Sequence, residues 1–136
     1  MLKVMFLCTG NSCRSQMAEG FARELGKGFI SAYSAGLRPH GVNPKAVAVM
    51  KEIGIDISQQ QSKAIDPELL EKMDTVITLC DNASESCPWT PPKIKRIHWS
   101  LKDPAHAAGS EEEVLNEFRR VRDEIKEKII NFLKEI

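Results

Sequence analysis

MLKVMFLCTGNSCRSQMAEGFARELG, residues 1–26, changes its hydrophobic period once, and the change falls inside CTGNSCRS, Cys8 to Ser15. Before it, LKVMFL (2–7) is a short apolar run with a β-branched residue, bounded by Gly10, and reads as a buried strand. After it, Met17, Ala18, Phe21, Ala22 and Leu25 recur at helical spacing, with Gly26 and Gly28 as a stop. The stretch is therefore strand, loop, helix. The loop holds two cysteines, an arginine and two serines.

The same alternation continues. FISAYSAG (29–36) reads as a second strand closing on a glycine, and LRPHGVNP (37–44) is turn-rich, with His40 as a turn residue. Pro44 opens a helix carrying Ala46, Val47, Val49, Met50 and Ile53, ended by Gly54. SQQQSK (58–63) is a loop, Asp66 caps a short helix begun by Pro67, and TVITLC (75–80) is a third buried strand. DNASESCPWTPP (81–92) has no periodicity, KIKRIHW (93–99) is a fourth strand, and the loop 101–110 ends at Ser110, an N-cap with Glu113 completing a capping box. The last helix carries Val114, Phe118, Val121, Ile125, Ile129 and Phe132 as one stripe, with Arg120–Glu124 and Glu124–Lys128 four apart on its wet face. Strands alternating with helices predict an α/β fold. We expect one domain over 1–136, a four-stranded parallel sheet with helices on both faces. In such sheets ligands sit beyond the carboxyl ends of the strands, which brings Cys8–Ser15, Cys80–Cys87 and Asp103 to one end of the molecule.

Composition narrows the setting. The 136 residues balance 19 Lys and Arg against 19 Asp and Glu, so no basic field argues for nucleic acid. One lysine and VMFL before Cys8 are too short for a secretory h-region. No apolar run approaches the roughly 18 residues of a membrane span. A cytoplasmic, monomeric protein without membrane attachment is expected, and in that compartment four cysteines are not a structural disulfide framework.

Cys8 to Arg14 is Cys-x5-Arg between a buried strand and the first turn of a helix. The backbone N–H groups of such a loop point inward and form a nest for a tetrahedral oxyanion. Gly10 lets the backbone turn without a Cβ clash. Arg14 supplies a planar fork for two oxygens of the anion. The same positive field favours a thiolate, the nucleophilic form of sulfur, so one device binds the oxyanion and arms its attacker. Cys8 is the candidate nucleophile, and Thr9, Gly10, Asn11, Ser12, Cys13, Arg14 and Ser15 are the candidate cradle. The competing reading is a strand-end cysteine beside a surface arginine.

Cys80 and Cys87 form the second pair, spaced Cys-x6-Cys. A zinc site from the four cysteines is disfavoured, because structural sites use short x2–x4 knuckles and no histidine stands at ligand spacing. No metal or cofactor is expected. Incidental buried thiols remain an alternative, although the polar DNASES between the two is no packed core. A redox relay fits better: a thiol on a loop can swing into disulfide range only if its segment rearranges.

CTGNSCRS after an amino-terminal strand resembles the low-molecular-weight tyrosine phosphatase superfamily. TLCDNASESCPWTPP, SAG (34–36), HGVNP (40–44), His98-Trp99, Asp103-Pro104 and RVRDEI (120–125) resemble its thioredoxin-coupled arsenate reductases. The tyrosine that follows Asp-Pro in the phosphatases is absent, since Ala105 stands there. The resemblance implies that Cys8 attacks arsenate with proton help from Asp103, Cys80 then attacks Cys8, and Cys87 attacks Cys80. A Cys80–Cys87 disulfide would then be reduced by thioredoxin. It further implies that Ser15 hydrogen-bonds the Cys8 thiolate, that Asn11 holds the loop in its anion-binding form, and that phosphate or sulfate act as analogues. Cys13 is a packing thiol in this reading, Trp89 and Trp99 are core or rim aromatics, and His98, on a strand, is left open. Some members bind potassium at positions matching Asn11, Glu19, Ser34 and the 60–63 stretch. Here Gln61 and Lys63 stand there, and an ammonium disfavours a second cation. Two other classes stay open: a phosphatase with incidental Cys80 and Cys87, and a non-enzymatic oxyanion-binding module.

Overall fold

Strand β1 (Leu2–Cys8) is the axis of the computed structural model, which describes residues 1–80 and 90–136. It pairs in parallel with β2 (Ile30–Gly36) on one side and β3 (Thr75–Thr78) on the other, and β4 (Lys95–His98) completes the order β2-β1-β3-β4. Val4 to Cys8 are buried without a break, so both faces of this strand are covered, as its apolar run requires. On β4, Lys95, Arg96 and His98 are exposed and keep the sheet edge from pairing with another chain.

Helix α1 (Arg14–Leu25) returns the chain from β1 to β2, and its fully buried Met17 and Phe21 each stabilise the fold by about 1.5–3 kcal/mol. The step from β1 to β2 runs one way along the sheet, while the steps to β3 and β4 run the other. Helix α2 (Pro44–Lys51) starts at Asn43, whose side chain accepts from the Lys45 N–H, and α3 (Pro67–Leu70) starts at Asp66 in the same way. Helix α4 (Glu111–Glu135) has the expected capping box, Ser110 with Glu113. It packs on α1, and its buried Arg122 ties it to α2 through the Val49 carbonyl and Glu52, both at 2.9 Å. Trp99 is a half-buried aromatic at the rim of the core: its ring lies 6.2 Å from Phe6 and meets the edge of Phe132 at 6.4 Å.

The element boundaries differ most from the sequence reading in α2, β3 and β4. Helix α2 stops at Lys51 rather than reaching Gly54, because the bonds tighten there to three-residue turns, Ile53 to Met50 and Gly54 to Lys51, and Gly54 reverses at φ +82°. β3 and β4 are each four residues long, shorter than the apolar runs that contain them. Leu79 and Ile94 are buried outside the strands, so hydrophobicity there marks core rather than strand. The stretch 81–92, expected as loop or frayed helix, lies outside the described residues over 81–89.

Candidate active site

Loops after β1, β3 and β4 meet at the carboxyl end of the sheet around a cavity of about 490 Å³. Cys8, Thr9, Gly10, Ser12, Cys13, Arg14, Cys80 and Asp103 all line it, at the end of the sheet where the strand order reverses between β1 and β3.

The loop from Cys8 to Cys13 is built to turn its amides inward. All six of its carbonyls are occupied from outside: Cys8 by Leu37 N–H, Thr9 by Arg38, Gly10 by His40 and the Ser62 hydroxyl, Asn11 by the Gln16 amide, Ser12 by Asn43, and Cys13 by Met17. Among the described residues, no protein acceptor takes the N–H groups of residues 10–14. The start of α1 also lacks a side-chain cap, whereas α2, α3 and α4 each have one. Unmet donors at a helix N-terminus with positive dipole charge suit a compact oxyanion.

One close approach and one left-handed turn explain two residues at the loop. A Cβ on Gly36 would lie 2.7 Å from the Asn11 nitrogen and 2.9 Å from the Thr9 carbonyl oxygen, so β2 can pass behind the loop only as glycine. Asn11 turns the loop in the left-handed region at φ +46°, which asparagine tolerates better than most residues.

Cys8 ends β1, is buried, and carries a free thiol. Its Sγ lies 2.8 Å from Ser15 Oγ. Asn11 Nδ2 donates to that same Oγ at 2.8 Å, which leaves the serine hydrogen for the sulfur. Arg14 is 7% exposed, donates to the Leu101 carbonyl at 2.9 Å, and stands 3.4 Å from Asp103 Oδ2. Asp103 caps the short 3-10 turn Pro104–His106: its Oδ1 accepts from Ala105 N–H, which leaves Oδ2 facing Arg14 and, at 3.7 Å, His106 Nε2. Cys13 also carries a free thiol, but burial foremost, and then the Asp103 carboxylate, push its pKa up to about 12. It stays protonated at neutral pH and is no rival nucleophile.

Cys80 is buried just past β3, its Sγ 3.1 Å from Thr9 Oγ1. Leu7 pairs with Thr78 and accepts from Leu79 N–H, so Cys80 lies one residue beyond the partner of Cys8. A strand spacing of about 4.8 Å and a rise of about 3.3 Å then put the two Cα atoms about 6 Å apart. That is within the span of a disulfide. Cys87 and Trp89 lie outside the described residues.

Lys63, flagged in the sequence against a bound cation, sends its ammonium to the Gln61 carbonyl at 2.9 Å and stands 3.9 Å from Glu19, which itself accepts from Ser34 at 2.5 Å. Sequence reasoning missed Gln16, which is polar and fully buried although it lies off the apolar stripe of α1, on the side of Glu19 and Arg23, where no local pattern marks it. It also gave His40 only a turn. His40 does turn the chain, and its ring lies against Gly10 at the cavity wall.

This constellation of a strand-end thiol, an amide-lined loop and an arginine at a helix start is the site of a phosphatase-type fold. The family described as low molecular weight phosphotyrosine protein phosphatase matches residues 3–136, and the chain belongs to it. Within it the chain falls among the arsenate reductases. It is 58% identical to the arsenate reductase of Bacillus licheniformis over 95% of this chain and 93% of that one. It is also similar to a solved arsenate reductase in the phosphate-binding state, at 42% identity and TM-score 0.82, covering 100% of this chain and 99% of that one. A low molecular weight protein tyrosine phosphatase from T. tengcongensis shares the fold at 27% identity and TM-score 0.81, each chain covered in full.

Proposed function

We propose that this enzyme reduces arsenate to arsenite through a relay of Cys8, Cys80 and Cys87, reset by thioredoxin. The observation that carries the relay is Cys80, a second thiol hydrogen-bonded at Thr9 and lining the same cavity as Cys8. Hydrolysis of a phosphoester needs no such group.

Arsenate sits in the inward amides with two oxygens on Arg14. The Cys8 thiolate attacks arsenic, and a hydroxyl leaves as water with a proton from Asp103. Cys80, as thiolate, then attacks Cys8 Sγ; the S–As bonding pair passes to arsenic, which leaves as arsenite, reduced from As(V) to As(III). Cys87 attacks Cys80 in the Cys8–Cys80 disulfide, frees Cys8, and leaves Cys80–Cys87 for the two electrons of reduced thioredoxin. Each exchange is favoured by a stable leaving thiolate. The protein works as a monomer in the cytoplasm, where thiols are kept reduced.

The test is NADPH oxidation with thioredoxin, thioredoxin reductase and arsenate. Wild type turns over continuously and Cys87→Ser at most once. Sustained turnover by Cys87→Ser overturns the relay. Slow hydrolysis of an aryl phosphate is expected, since loop and acid suffice for it. Strong hydrolysis without arsenate reduction would establish the phosphatase reading instead.

A further inference from the structure

Five of the six carbonyls from Cys8 to Cys13 are held by backbone N–H groups, which side-chain truncation leaves in place. The sixth, that of Asn11, is held by a side chain alone: Gln16 Nε2 donates to it at 3.0 Å. Asn11 is also the residue in the left-handed region. The direction of its carbonyl sets the direction of the Ser12 N–H, since both belong to one planar peptide. Turned out, the peptide offers a donor to the anion. Turned in, it offers a carbonyl oxygen, which repels one.

We infer that Gln16 is the positioning residue that keeps this peptide turned out, and thereby sets the oxyanion affinity of the loop. Its own surroundings are organised for that task. Gln16 is fully buried, and its second amide hydrogen goes to the Gln61 carbonyl at 3.0 Å. Its Oε1 accepts from Gln60 Nε2 at 2.8 Å, so the amide cannot rotate without losing every partner. Gln60 is fixed in turn: its Nε2 also reaches the Gln16 carbonyl at 3.0 Å, and its Oε1 accepts from Arg23 at 2.5 Å. The side chains of Arg23, Gln60 and Gln16 thus run from the surface to Asn11 of the anion loop, and none of the three lines the cavity.

The inference rests on the oxyanion-binding reading of the site but not on arsenate turnover, and inorganic phosphate is the probe. Titration calorimetry of wild type and Gln16→Met measures Kd, with urea midpoints of both taken without phosphate. Methionine keeps the length of the side chain and removes its donors. Kd is expected to rise about tenfold, equivalent to about 1.4 kcal/mol. A lowered midpoint with unchanged Kd shows a purely structural role and overturns the inference. Should Gln16→Met not fold, Gln60→Leu removes the buttress alone; a roughly threefold weaker Kd is expected, and an unchanged one overturns the inference. Absence of phosphate binding by wild type would instead overturn the oxyanion reading, so the two failures are distinguishable.

Discussion

Replacing Asn11 separates backbone strain from side-chain bonding in the anion loop. The side chain accepts from Lys63 N–H at 2.9 Å and donates to Ser15 Oγ at 2.8 Å, and the residue is fully buried. Each bond contributes about 1 kcal/mol net, so either Asn11→Gly or Asn11→Ala loses about 2 kcal/mol. Alanine also carries the left-handed φ of +46°. That adds about 1 kcal/mol relative to glycine, even after the greater unfolded-chain entropy of glycine is counted. The expected losses are about 2 kcal/mol for Gly and 3 kcal/mol for Ala. With an m-value of about 2 kcal/mol/M, urea midpoints fall by about 1 M and 1.5 M under reducing conditions. Equal midpoints for the two variants would refute the strain component. Losses under about 0.5 kcal/mol in both would refute the claim that this side chain holds the loop.

Three further outcomes follow from the same geometry. The pKa of Cys13 is raised to about 12 from an ordinary 9.0, so the folded state binds a proton that the unfolded chain releases. Stability then falls as pH rises from 9 toward 12, and Cys13→Ala flattens that limb in urea titrations; an unchanged alkaline limb would count against the burial argument. Gly36→Ala pushes a Cβ against backbone atoms at 2.7–2.9 Å and should cost about 1–3 kcal/mol. Gly10→Ala meets a movable His40 ring and should cost less in the same thermal melts; the reverse order would refute the packing account. Because the Lys63 ammonium already stands by Glu19 and Gln61, arsenate turnover should be equal in potassium and sodium buffers, and a several-fold potassium effect would overturn that.

The resemblance and the local patterns together made most of the fold and the Cys-x5-Arg loop readable. Periodicity located the four strands and the helices between them because each buries a continuous apolar face, and caps at Asn43, Asp66 and Ser110 are local by nature. Strand ends were not readable, since Leu79 and Ile94 are apolar for the sake of the core and not of the ladder. Thr9 was legible as a loop residue, but its contact with Cys80 spans 71 positions of sequence. Gln16 escaped for a related reason: its partners, Asn11, Gln60 and Gln61, come from two separate segments.

By itself, the order of residues determined the parallel α/β plan and the Cys-x5-Arg loop at a helix start, because hydrophobic period and capping act within a few positions. Only the tertiary structure decided how that loop is held and what lies beside its thiol. Parallel pairing of β1 with β3 brings Cys80 within reach of Cys8, and the pinned carbonyls turn the amides inward. Both effects arise where hydrogen bonds close between distant segments, and no local pattern encodes those closures.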